Sequence, residues 1–155
     1  MKTVEQIVKK LIDKKYHISF AESCTGGLAC ATLVSVADAS KVLDVSFITY
    51  ANDVKIQYLG VKSETIEAYG VVSEEVAKQM AEGVAVQAGS QIGVGITGVA
   101  GPGGGTEAKP VGMVCFGFFL NGKLYSDTCR FGEIGRNEVR NQSVEHVFER
   151  LSQLL

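Results

Sequence analysis

Apolar residues recur at helical spacing from the start of the chain. Val4, Ile7, Val8, Leu11 and Ile12 share one face, with lysines opposite. That period predicts an amphipathic helix over Thr3 to Lys15. Ile18 to Ala21 is short and largely apolar and reads as a buried strand. Gly26 and Gly27 follow, and the small residues Leu28 to Val34 read as a helix. Val45 to Tyr50 reads as a second strand, after which Asn52 or Asp53 can cap a helix that ends at Leu59 with Gly60 as its stop. Ser63 to Tyr69 forms a short helix before Gly70. Ser73 caps a stronger one, with Glu74 and Glu75 in its positive first turn. Val76, Ala77, Met80, Ala81, Val84, Ala85 and Ala88 make its apolar face. Ile92 to Thr97 is a strand, and Gly98 to Pro110 a Gly-rich loop. Val111 to Leu120 and Lys123 to Phe131 then flank Asn121-Gly122, a strong hairpin signal. A last helix runs from about Arg136 to Leu155, with Val144, Val147, Phe148, Leu151 and Leu155 facing in.

This order belongs to a layered α/β domain. Strands separated by helices should pair in parallel and the hairpin must be antiparallel, so the expected sheet is mixed and mostly parallel. The length of 155 residues fits one domain over 1–155. With 46% hydrophobic and 21% charged residues the chain has a globular composition, which excludes intrinsic disorder. A formal net charge of -2 argues against a nucleic-acid or anionic-membrane binder. There is no unbroken apolar run long enough for a membrane span and no signal-peptide core near the N-terminus, which predicts a cytoplasmic domain with reduced cysteines. Cys24, Cys30, Cys115 and Cys129 form no C-x-x-C pair, and His17 and His146 lie far apart, so no metal is expected.

Candidate chemistry gathers where three segments leave the carboxyl ends of expected parallel strands. These are Glu22 to Gly27, Tyr50 to Lys55, and Thr97 to Pro110. Ser23 at a strand-to-helix turn, beside amides near Gly26 and Gly27, suits a nucleophile with an oxyanion hole. A plain helix cap by Ser23 or Thr25 is the competing reading. Cys24 is a rival nucleophile with no histidine nearby in sequence. Lys55 is the candidate base, provided that its pKa is depressed, and Tyr50 can face the same cleft. The competing readings are a solvated helix lysine and a tyrosine at a core edge. The Gly-rich loop is neither a Walker A nor a Rossmann fingerprint, yet its glycines let amides approach a phosphate. Arg136 and Arg140, one turn apart, can clamp an anion or form a solvated face.

The segments together resemble the C-terminal domain family of the competence/damage-inducible protein CinA, which includes nicotinamide-nucleotide amidases. The motifs are Ala21-Glu22-Ser23-Cys24-Thr25-Gly26-Gly27, Tyr50-x-Asn52-x-x-Lys55, Val72-Ser73-Glu74-Glu75-Val76-Ala77, Ile96 to Gly104, and Lys109-Pro110-Val111-Gly112. The resemblance implies a three-layer α/β/α domain that hydrolyses the carboxamide of nicotinamide mononucleotide to nicotinic acid mononucleotide and ammonia, without a cofactor. It implies Ser23 as nucleophile, with Tyr50 and Lys55 in support. Thr25, Gly26, Gly27, Thr97, Gly98, Gly101 and Arg140 are the expected substrate-binding residues and a small-molecule nucleotide is the expected partner, with a homo-oligomer left open by the sequence. Gly132-Glu133-Ile134-Gly135-Arg136 stands where family members carry Gly-Asp-Arg, and Arg140 fits the family's later arginine. The alternatives are a non-catalytic nucleotide-sensing or protein-interaction module, or an amidase for a different amide.

Overall fold

The computed structural model describes residues 2–155. Helix α1 (Lys2–Lys14) ends where Lys15 takes a positive φ. Strand β1 (Ile18–Glu22) leads through a turn into α2 (Leu28–Val34), and a single 3₁₀ turn (Ala39–Lys41) follows. Strand β2 is only Phe47–Ile48, shorter than the apolar run Val45 to Tyr50 predicts. It lies at the sheet edge and has a ladder partner on one side alone. Helix α3 (Asn52–Leu59) begins after Ala51, which makes no side-chain cap, so the expected capping by Asn52 or Asp53 does not occur. Gly60 ends α3 in the left-handed conformation, as expected. Helices α4 (Ser63–Tyr69) and α5 (Glu74–Ala88) follow, and the Ser73 hydroxyl accepts the Val76 amide as predicted. Strand β3 (Ile92–Gly98), the hairpin β4 (Met113–Leu120) and β5 (Lys123–Arg130), and α6 (Arg136–Leu154) complete the chain. Asn121 and Gly122 both carry positive φ, as a two-residue hairpin with the twist of its strands requires.

The sheet order is β2-β1-β3-β4-β5. β1 pairs in parallel with β2 and β3, and β4 is antiparallel to both β3 and β5. The sheet is therefore mixed, with the hairpin at one edge. Helices α1, α2 and α6 cover one face through Ile7, Leu11, Leu33, Val147 and Leu151, which meet Ile18, Phe20, Val94 and Phe116. Helix α5 covers the other face, with α3 beside it. This makes three layers.

The two faces are built differently. On the α5 side, β3 and β4 present glycine. A Cβ at Gly93, Gly95 or Gly117 would lie 2.0, 2.3 or 2.1 Å from a backbone carbonyl oxygen of α5. Backbone-to-backbone approach replaces side-chain packing there, which draws α5 tightly over the sheet centre. Among the described residues, no helix is long and apolar enough to cross a membrane.

Candidate active site

The three sequence segments do converge at one end of the sheet. The Ser23 amide donates to the Ile96 carbonyl at 3.1 Å and the Thr49 amide to the Glu22 carbonyl at 2.9 Å. These bonds extend the parallel register by one residue beyond each strand pair, so Thr49, Ser23 and Thr97 stand abreast. A cleft of about 290 Å³ opens in front of them. Of the expected site residues, Ser23, Tyr50, Lys55, Thr97, Gly98 and Gly101 line it. Cys24, Asn52, Ala100 and Arg136 line it as well. Thr25, Gly26, Gly27 and Arg140 are not part of its wall and lie in and behind the turn that carries Ser23.

Lys55 dominates the local electrostatics. It sits in the first turn of α3 and is 1% exposed. Its Nζ donates to Ser23 Oγ at 3.2 Å and to the Tyr50 carbonyl at 3.3 Å. No carboxylate pairs with it among the described residues. Burial lowers its pKa, with a thiolate at Cys24 pulling the other way. Burial pushes the Cys24 thiol itself up to about 11, however, so at neutral pH that thiol is uncharged and the opposing pull is absent. The positive end of α3 further disfavours an ammonium in its first turn. Solvation of Lys55, the competing reading of the sequence, is thereby excluded.

Ser23 is 8% exposed, with its hydroxyl against Lys55. It does not cap α2, because the helix N-terminus is closed by Glu22. That carboxylate, 1% exposed, accepts the Ala29 and Cys30 amides at 2.9 and 3.0 Å. The Gly26 amide donates to the Ser23 carbonyl at 3.0 Å, and the Leu28 amide to the Thr25 carbonyl at 3.0 Å. Of the amides that the sequence offers as oxyanion donors, those near Gly26 and Gly27 and at the Thr97-Gly98 turn, the Gly26 amide is thus already engaged and a buried acid holds the start of α2, whereas the Gly27 amide has no carbonyl acceptor among the described residues. The Cys24 and Ala100 amides, on cleft-lining residues, have no carbonyl acceptor among the described residues. The Gly101, Gly103 and Gly104 amides of the same wall likewise have no acceptor among the described residues, so the Ser23 turn and the Gly-rich loop both offer donors to a bound group.

Tyr50 contributes in two separate ways. Its backbone carbonyl holds Lys55, whereas its phenol, on a ring that is 57% exposed, accepts a hydrogen bond from Arg136 at 2.8 Å. Arg136 also donates to the Gly101 carbonyl at 2.7 Å. Arg136 is thus the arginine of the cleft. Arg140 turns to the Ser23 turn instead, donating to the Cys24 and Thr25 carbonyls at 3.1 and 3.0 Å. The Thr97 hydroxyl donates to the Val71 carbonyl at 3.0 Å and ties β3 to the segment before α5. Sequence reasoning left Arg136 undecided and passed over Glu22. The only signal for Glu22 was an acidic residue ending an otherwise apolar strand just ahead of a helix.

A buried amine touching a serine hydroxyl, with unpaired amides nearby and a guanidinium across the cleft, can activate an oxygen nucleophile and hold an anionic group. Solved structures similar to this chain share its fold. A competence/damage-inducible protein, CihA, from Agrobacterium tumefaciens superposes with a TM-score of 0.90 at 39% identity, covering 98% of this chain and 95% of that one. A CinA superfamily protein from Escherichia coli gives 0.94 at 31% identity over 99% and 88%. In sequence, a CinA-like protein of Kosmotoga olearia is 48% identical over 142 residues, 91% of this chain but 34% of its own length. The chain spans about a third of the curated relatives it matches. The names of these relatives speak of CinA or of competence and damage, not of a reaction. The family model for the CinA C-terminal domain matches residues 1–155 from end to end, and this chain is a member of the CinA C-terminal domain family.

Proposed function

We propose that this chain is an amidohydrolase that converts the carboxamide of nicotinamide mononucleotide to the carboxylate, releasing ammonia. The observation that carries the reading is the buried, unpaired Lys55 amine 3.2 Å from Ser23 Oγ. A lysine kept neutral by burial can take the serine proton, and one with an ordinary pKa near 10.4 cannot do so at neutral pH.

The steps balance as follows. Ser23 Oγ attacks the carboxamide carbon as its proton passes to Lys55 Nζ. The Cys24 and Ala100 amides stabilise the oxyanion, each such donor being worth about 3–4 kcal/mol of barrier. The Lys55 ammonium returns the proton to the leaving nitrogen, and ammonia departs from an acyl-serine. Water then gives a proton to Lys55 and attacks the ester carbon, and the Lys55 ammonium returns that proton to the departing Ser23 Oγ, which frees the acid and restores both residues. The pyridinium of the substrate adds a positive charge that favours neutral Lys55 further. Arg136 and the amides of the Gly-rich loop receive the phosphate.

The test is ammonia release from a panel of the mononucleotide, its riboside, free nicotinamide and an unrelated amide. Wild type should prefer the mononucleotide over the riboside by tenfold or more, since charge-assisted bonds to phosphate contribute about 1.5–3 kcal/mol each. Ser23→Ala should release none. Undiminished release by Ser23→Ala refutes the nucleophile, and equal efficiency on nicotinamide and its mononucleotide refutes the substrate.

A further inference from the structure

We infer that Arg140 is a positioning residue, acting on catalysis through the Ser23 turn and not through the substrate. The inference rests on Ser23 being the nucleophile and goes beyond it by giving the turn its brace. Arg136 and Arg140 are one turn apart on α6 but have different tasks. Arg136 lines the cleft. Arg140 is absent from its wall, and all three guanidinium nitrogens are engaged: Nε on the Cys24 carbonyl at 3.1 Å, one terminal nitrogen on the Thr25 carbonyl at 3.0 Å, the other on Asn137 Oδ1 at 3.0 Å.

Peptide planarity turns these contacts into a constraint on Ser23. In a trans peptide, C=O and N–H point in opposite directions. Holding the Cys24 carbonyl therefore aims the Thr25 amide away from Arg140. Holding the Thr25 carbonyl likewise aims the Gly26 amide away, and that amide donates to the Ser23 carbonyl at 3.0 Å. Arg140, the Thr25–Gly26 peptide and Ser23 thus form one chain of polarised hydrogen bonds. Gly26 carries φ +58°, a conformation that favours glycine, while a Cβ there would meet the guanidinium at an ordinary 3.6 Å, so the turn's backbone and not its space calls for glycine. On the other side, the Glu22 carboxylate pins the Ala29 and Cys30 amides. The turn is held by its carbonyls from α6 and by its following amides from β1. A lysine offers one compact ammonium in place of a planar fork and cannot span two carbonyls and Asn137 together.

The experiment compares Arg140→Ala, Arg140→Lys and Arg136→Ala. Two readouts are kcat and KM on the mononucleotide and the riboside, and the rate at which a fluorophosphonate probe adds to Ser23, followed by intact mass with Ser23→Ala as blank. Misplacing a reacting atom by about 1 Å can cost about a hundredfold in rate. Arg140→Ala should lose kcat on that scale on both substrates, keep the preference for the mononucleotide, keep the acid limb set by Lys55, and slow labelling in parallel. Arg140→Lys should remain folded by thermal melting and recover little of either rate. Arg136→Ala should instead raise KM for the mononucleotide and narrow its preference over the riboside. The inference is overturned if Arg140→Lys, or folded Arg140→Ala, labels at the wild-type rate, or if its defect is confined to KM for the mononucleotide. Labelling reports on Ser23 even if the mononucleotide proves not to be the substrate. A wild-type protein that neither labels at Ser23 nor releases ammonia removes the nucleophile and this role of Arg140 with it.

Discussion

Replacing Lys55 by methionine reads its protonation through two unrelated observables. The wild-type amine is 1% exposed, and burial lowers its pKa. In the unfolded chain the same amine titrates at about 10.4. Between the lowered folded value and about 10.4 the unfolded state holds one more proton than the folded state. Wild-type stability therefore rises with pH across that window, by about 1.4 kcal/mol per pH unit for one proton. Below the folded pKa both states are protonated, the full penalty of the buried ammonium is present, and the slope is zero. Above about 10.4 the penalty is gone. Methionine occupies similar space without titrating, and every other ionisable group is common to both proteins, so the wild-type-minus-variant difference isolates Lys55. Denaturant unfolding of both proteins from about pH 6 to about pH 10 should show that difference first level and then climbing towards wild type at this slope. For a domain of this size each kcal/mol is worth about 2–4 °C in Tm, so melting curves resolve it too. With Lys55 as the proposed base, the same ionisation is expected to limit wild-type kcat/KM on its acid side. The midpoint of that limb and the onset of the climb should coincide, while the variant loses about 10²–10⁴ in rate. A difference that stays level to about pH 10, or an acid limb far from the onset of the climb, would refute a depressed Lys55 as the base.

Three further outcomes follow from individual contacts. Tyr50→Phe keeps the backbone carbonyl that orients Lys55 and loses only the phenol on Arg136, so steady-state kinetics should show KM for the mononucleotide raised by about tenfold with the acid limb unmoved. Cys24→Ala removes a buried thiol that stays protonated at neutral pH, and ammonia release should remain within a few-fold of wild type. Gly95→Ala places a Cβ 2.3 Å from the Ala77 carbonyl oxygen, and the backbone of α5 must move to admit it. A loss of about 3 kcal/mol or more is expected in denaturant unfolding, against about 1 kcal/mol or less for alanine at exposed, helix-ending Gly89, where the cost is the positive φ alone.

What the sequence determined by itself is whatever depends on near neighbours along the chain. The Ser73 cap, the Gly60 stop, the Asn121-Gly122 turn and the 3.6-residue stripes of α1, α5 and α6 are set within a turn or two of backbone, so they are legible without a fold. The motif at Ala21 to Gly27 and the Tyr50-x-Asn52-x-x-Lys55 spacing likewise pointed to the right end of the sheet, because strand ends and helix starts place residues by local geometry. Tertiary structure decided the rest. Val45 to Tyr50 is apolar enough for a full strand, yet an edge position with one ladder partner leaves two residues paired. Arg136 and Arg140 share a helix face, and only the loops packed across from each one send the first to the cleft and the second to the turn carbonyls. Glu22 claims the amides at the start of α2 because β1 ends beneath that helix, which no local rule encodes. The closing of Lys55 onto Ser23 across 32 positions of chain is the furthest from local information. The Lys55 Nζ is held between the Ser23 hydroxyl and the Tyr50 carbonyl, which only the assembled sheet end brings together, and α5, beside α3, approaches that sheet closely because the strands beneath it carry glycine where a side chain would hold it away.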